Sequence, residues 1–231
     1  MQAGQLTLDF EHRPAFGGED FLVAPPNADA VRWLDAWPDW PGSALVLSGP
    51  AGSGKTHLAQ VFQAMSRACV VSTADLRESQ PPSYLGDAPA AIVEDADTLI
   101  GKNGLEEPLL HLFNVLRETD RHLLMTAKQP SARWGIALKD LSSRLNAASQ
   151  AAIGAPDDAL ITAVLVKQFQ DRQLRIDTDV ISFMVPRMER SFEAARHMVH
   201  VLDELALKER RNITVPLVRK VLEQHPLKSD N

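Results

Sequence analysis

The sequence predicts an α/β protein, with a parallel five-stranded sheet packed by helices and a small all-helical unit after it. Three observations carry that reading. Short apolar runs at 44–48, 70–72, 90–93, 122–126 and 150–153 alternate with stretches of helical period, which is how βαβ units are written. The first run opens directly into a glycine-rich loop and then a helix. Beyond Pro156 the strand signals stop, and helices fit 157–173, 178–188, 191–209 and 214–225. The expected division is a flexible tail at 1–20, an α/β base at 21–155 and a helical lid at 156–231.

Element by element, the tail is punctuated by Gly4, Pro14, Gly17 and Gly18. Asn27 is placed to cap a helix over 28–37, which Pro38 and Pro41 end. A helix over 57–68 puts Leu58, Val61, Phe62 and Met65 on one face. Residues 79–89 read as a proline-rich loop, and helices are expected over 107–117 and 138–145. In the last unit Thr178, Ser191 and Thr214 are the expected N-caps.

Composition narrows the function. Of 231 residues 45% are hydrophobic and 23% charged, enough apolar material for a sizeable core. Nowhere do eighteen uncharged apolar residues run together, so no membrane span is expected. The start, lacking a basic and then an apolar stretch, is not a signal peptide, and the expected location is the cytoplasm. Cys69, the one cysteine, excludes an internal disulfide and a cysteine-built zinc site. A net charge of −6 and only 6% aromatics argue against direct, sequence-specific DNA binding. Lys208, Arg210, Arg211, Arg219 and Lys220 form a local basic patch that a solvated helix surface also explains.

The chemistry concentrates at Gly49-Pro50-Ala51-Gly52-Ser53-Gly54-Lys55-Thr56, a match to G-x-x-x-x-G-K-[ST] between an expected strand and an expected helix. Glycines let the backbone curl so that N–H groups converge on phosphate oxygens. Lys55 can reach β- and γ-phosphates, the Thr56 hydroxyl can bind Mg²⁺, and the helix N-terminus favours the same anion. The acidic partner is expected where the strand over 90–93 ends in Glu94 and Asp95, both candidates for the Mg²⁺ side of the site. P-loop ATPases prefer Asp followed by Glu. The reverse order displaces both carboxylates by about one methylene, so weak or absent intrinsic hydrolysis is expected while binding of ADP or ATP remains.

The order of parts resembles the AAA+ ATPases and, within them, the replication initiator DnaA. Phe21, Val23 and Asn27 look like the segment beside the adenine, and Thr126 is similar in placement to the polar residue called sensor 1. Leu138-Lys139-Asp140-Leu141-Ser142-Ser143-Arg144-Leu145 resembles the arginine-finger segment, which makes Arg144 the matching residue. Arg190-Ser191-Phe192-Glu193-Ala194-Ala195 resembles the lid motif whose arginine, here Arg190, is sensor 2. DnaA continues into a helix-turn-helix domain, for which the residues after 225 leave no room.

At the other end, Gln5-Leu6-Thr7-Leu8-Asp9-Phe10 resembles peptides that bind the bacterial sliding clamp, the β subunit of DNA polymerase III. There Gln5 would make the polar contacts while Leu8 and Phe10 enter an apolar pocket; a small strand packing Leu6, Leu8 and Phe10 on the chain's own core is the bland alternative. Initiator-like core and clamp peptide together resemble the Hda branch of the family. The resemblance implies a negative regulator of initiation, bound to DNA-loaded clamp, that stimulates hydrolysis of DnaA-bound ATP with Arg144 acting in trans. For Arg144 the competing reading is an ion pair with Asp140 four residues earlier. For the whole chain it is an autonomous ATPase of motor or helicase-loader type working in its own oligomer. Whether the chain forms a homodimer stays open. His197 and His200 lack a third metal ligand, Trp33 and Trp37 share a core-facing helix side, and Cys69 reads as a structural thiol.

Overall fold

The computed structural model describes residues 12–13, 21–78, 80–101, 104–209 and 211–224. The described residues divide into two compact units, one made of residues 21 and 25–154, the other of 12–13, 22–24 and 155–224.

The first unit is built on a parallel sheet of β3 (Ala44–Ser48), β4 (Cys69–Val70), β5 (Ala90–Val93), β6 (His122–Ala127) and β7 (Ser149–Ala152) in the order β4-β5-β6-β3-β7. Every pairing is parallel, because each return to the sheet crosses over through helices. Those helices are α2 (Lys55–Ser66), α3 (Thr73–Glu78), α4 (Pro81–Leu85), α5 (Glu106–Glu118) and α6 (Lys139–Ala147), with α1 (Ala28–Asp35) preceding β3. Both faces of the sheet are covered, which is why β3 is buried at all five positions and reads as a continuous apolar run. Ala44 and Val46 enter a core shared with Leu109, Leu112, Phe113 and Leu116 of α5 and Leu141 and Leu145 of α6. Leu45 and Leu47, fully buried, alternate to the other face.

The five expected strands and the α/β class are present. Three local expectations are corrected. Residues 79–89, expected as a loop, contain α4, because Pro81 and Pro82 take the first two helical positions, where no N–H is required. The α2 face that is buried is Leu58, Ala59, Phe62 and Ser66, while Val61 and Met65 are only half-buried. Asn27 stands at the N-cap of α1, but its side chain makes no capping bond.

The second unit comprises α7 (Asp158–Asp171), α8 (Thr178–Met184), α9 (Phe192–Glu209) and α10 (Val215–Gln224) around Ile161, Leu165, Phe169, Met184, Met198, Val199 and Val218. Asp157 caps α7 by accepting from Leu160 N at 2.8 Å, and Ser191 Oγ accepts from Ala194 N at 3.0 Å at the start of α9. The expected cap Thr178 is instead the first residue of α8, preceded by Asp177. Leu22 and Ala24 pack on Leu160 and Ala163 of α7. Leu22 ends β2 (Phe21–Leu22), which pairs with β1 (His12–Arg13) in a short ribbon, and Ala24 follows it.

Candidate functional site

Parallel pairing brings the carboxyl ends of β3, β5 and β6 together, with Ser48 beside Ala127 and Val93 beside Met125. This is where open α/β sheets hold ligands. Gly49 leaves β3 under constraint: a Cβ there would lie 2.4 Å from the Ile153 carbonyl oxygen, so no other residue fits. Gly54, at φ 96°, turns the loop into α2 through the left-handed region. Lys55 is buried, and its Nζ donates to the carbonyls of Gly49 at 2.8 Å and Pro50 at 2.7 Å. Burial lowers the Lys55 pKa, while Asp95 and Asp97 oppose that shift. Ser53 Oγ is buried without a hydrogen-bond partner among the described residues, and Thr56 is exposed at the second position of α2.

Two cross-strand bonds tie the acidic run to the end of β6. Asp95, in the left-handed region at φ 49°, donates its backbone N–H to Thr126 Oγ1 at 3.0 Å. Asp97 Oδ2 accepts from Lys128 N at 3.0 Å, while its Oδ1 is buried and without a hydrogen-bond partner among the described residues. Thr126 is therefore a spacer between the acidic turn and the next strand end. Glu94 is half-buried and Asp95 exposed.

Arg144, on α6, is half-buried with its guanidinium carbon 5.9 Å from the centre of the Phe113 ring. Its Nε is buried with no hydrogen-bond partner among the described residues, and no ion pair to Asp140 is present among them. In the second unit Arg190 makes a two-pronged bond to Asp158, Nε to Oδ1 at 2.6 Å and the terminal nitrogen to Oδ2 at 3.1 Å. The shared hydrogen bonds lower the Asp158 pKa and raise that of Arg190.

A family profile described as "Hda, lid domain" matches residues 157–222. An uncharacterised protein of Haemophilus influenzae is 27% identical, over 75% of this chain and 79% of that protein. The chromosomal replication initiator DnaA of Treponema denticola is 24% identical over 91% of this chain and 54% of its own length, so the chain spans about half of that relative. Domain III of Thermotoga maritima DnaA superposes with a TM-score of 0.78, at 18% identity, covering 92% of this chain and 98% of that one. AMPPCP-bound DnaA from Aquifex aeolicus superposes at 0.67, with 17% identity over 84% and 66%. In sequence and in fold the chain is similar to DnaA-type AAA+ proteins.

In AAA+ terms the structure gathers Gly49, Pro50, Ala51, Gly52, Ser53, Gly54, Lys55, Thr56, Glu94, Asp95 and Thr126 at adjacent strand ends of one unit. Asn27, 2% exposed, and half-buried Val23 flank the segment leading into α1. The Phe21 side chain and the peptide of Gln5, Leu6, Leu8 and Phe10 lie outside the described residues. Asp97 carried no assigned role in the sequence; its signal was the third acid of the run after β5. The oxygens of Thr56, Glu94, Asp95 and Asp97 are hard donors that suit Mg²⁺, and the unpartnered Asp97 Oδ1 fits a hydrated ion of that kind. Among the described residues no group of three or more His, Cys, Asp or Glu is placed to hold a metal ion by itself, Glu94, Asp95 and Asp97 included. No described helix is long and apolar enough to cross a membrane.

Proposed function

We propose that this protein binds an adenine nucleotide and switches off a DnaA partner by stimulating hydrolysis of the ATP that partner carries. The observation that carries the proposal is Arg144: a guanidinium held at an aromatic face, with a buried Nε that meets no acceptor among the described residues. Such a group is prepared for an acceptor from another chain. A phosphoryl oxygen on the neighbour's ATP supplies the right charge, and an arginine finger raises hydrolysis by about 10³- to 10⁵-fold.

The chain's own P-loop holds ADP or ATP in a supporting role. Loop N–H groups and the α2 N-terminus face the phosphates, and Lys55 exchanges its two carbonyl acceptors for phosphate oxygens, which return its pKa upward. Thr56 with Glu94, Asp95 or Asp97 would hold Mg²⁺, which neutralises phosphate charge when bound. The Glu94–Asp95 order leaves the water-orienting position one methylene short, so the chain's own turnover is slow. Arg190 serves as the lid's contact to nucleotide, released from Asp158. Gln5, Leu6, Leu8 and Phe10 dock on the sliding clamp and concentrate the protein at replicating DNA.

The test is hydrolysis of DnaA-bound ATP with DNA-loaded clamp present, using the unmodified protein, Arg144→Ala and Leu8→Ala/Phe10→Ala. Stimulation by the first and by neither variant is expected. Rapid hydrolysis by the protein alone, indifferent to DnaA and clamp, would instead mark an autonomous ATPase.

A further inference from the structure

We infer that α5 is the template that sets the position of Arg144, with Phe113 carrying its guanidinium and Glu106 fixing the start of α6. The inference rests on the reading of Arg144 as the residue that acts on partner-bound ATP. It assigns positioning roles to two residues that touch no nucleotide.

An arginine side chain is long and rotatable, so a finger attached only at its Cα would sample many positions. Here two positions on one helix remove that freedom. Phe113 is 6% exposed, locked between its α5 neighbours and the sheet, and its ring cannot move away from Arg144. Seven residues earlier on α5, Glu106 accepts three backbone N–H groups. Oε2 takes Leu138 N at 2.7 Å, and Oε1 takes Gly101 N at 3.2 Å and Ala137 N at 3.3 Å. Burial pushes the Glu106 carboxyl up, but the three bonds outweigh it and hold the group below the usual carboxylate range. A carboxylate so held is a fixed ionic bracket rather than a solvated surface charge.

Leu138, the residue at the N-cap of α6, has no side chain able to cap the helix. Glu106 instead accepts the N–H of Leu138 itself and of Ala137 before it, so it anchors the residues that lead into α6 rather than the N–H groups of its first turn. From Leu138 to Arg144 is six residues, about 9 Å of helix rise. Two attachments that far apart prevent α6 from sliding along α5 or turning about its own axis. Gly101 belongs to the same bracket and lies shortly after the acidic run Glu94–Asp97, so the start of α6 is also tied to the segment leaving the chain's own nucleotide site.

The test measures the maximal rate of partner-bound ATP hydrolysis and the protein concentration at half-maximum, for Phe113→Leu, Phe113→Tyr, Glu106→Gln and Arg144→Ala. Leucine keeps the apolar volume but removes the aromatic face; tyrosine restores that face. Expected is a fall of about ten-fold in the maximal rate for Phe113→Leu and a smaller fall for Glu106→Gln, with unchanged half-maximal concentration and recovery in Phe113→Tyr. Nucleotide binding by each variant, measured separately, reports that it is folded. If Arg144→Ala is inactive while Phe113→Leu and Glu106→Gln match the unmodified protein, the template is wrong and the arginine reading stands. A change confined to half-maximal concentration also overturns it, since that describes an interface contact. If Arg144→Ala stimulates normally, both fall.

Discussion

His122 opens β6 with its ring edge-on to Trp37 and Trp40, at centroid distances of 6.2 and 5.4 Å. Burial lowers its pKa, with Asp120 pulling the other way. The unfolded chain then takes up the proton first. The neutral ring costs nothing above the unfolded value of about 6.5, and stability is lost as pH falls from there toward the folded value. Urea unfolding at pH 7.5 and 5.5 checks this: the loss at the lower pH is expected to shrink in His122→Phe, which keeps an aromatic edge but no proton. An identical loss in both proteins would remove His122 as its source. The residue scale also shows what the phosphate loop asks of the chain. Gly49 is required by a carbonyl only 2.4 Å from where a Cβ would stand, and Lys55 is kept buried by two carbonyls that substitute for no charge.

Helix starts separate what spacing could decide from what it could not. Ser191 satisfies the first turn of α9 through Ala194 N, whereas Thr178 lies inside α8 and the cap position falls to Asp177, whose side chain makes no capping bond. Ser191→Ala is therefore expected to lower unfolding free energy by about 1 kcal/mol, and Thr178→Ala to change it by less than about 0.5 kcal/mol. Chemical denaturation of the two variants side by side decides it; equal losses would mean that the caps were read wrongly. The same distinction runs through the site. The P-loop, the acidic pair and the five strands were legible because each is a local pattern: period, glycine spacing, acid after an apolar run. Phe113, Glu106, Asp97 and Asp158 were not, because their partners lie 31, 32, 31 and 32 residues away in Arg144, Leu138, Lys128 and Arg190. Only the folded chain brings such pairs together. The buried face of α2 was not legible either, since helical period alone does not say that Lys55, Ala59 and Ser66 are buried beside Leu58 and Phe62.

For the whole molecule, one compact unit carries the P-loop and the other is helical, and under the proposed function nucleotide binding is the property that links stability to function. A ligand that binds only the folded protein stabilises it by RT ln(1 + [L]/Kd), about 2.7 kcal/mol at a hundred-fold excess over Kd. For a chain of 150–250 residues each kcal/mol moves the melting temperature by about 2–4 °C, so saturating ADP with Mg²⁺ should raise it by about 5–10 °C. Two units need not unfold together, so the shift belongs first to the transition of the unit that carries Lys55. Lys55→Ala should abolish it without altering the ligand-free melting by a comparable amount. Arg190→Ala is the informative companion. If Arg190 leaves Asp158 to contact nucleotide, its loss lowers affinity and shrinks the shift at a fixed, subsaturating ADP concentration. If its working partner is Asp158 alone, only the ligand-free melting changes, and slightly, because both side chains are at least half exposed. Calorimetry with and without ADP on the three proteins distinguishes these outcomes, and an unmodified protein that shows no shift would overturn nucleotide binding by the loop.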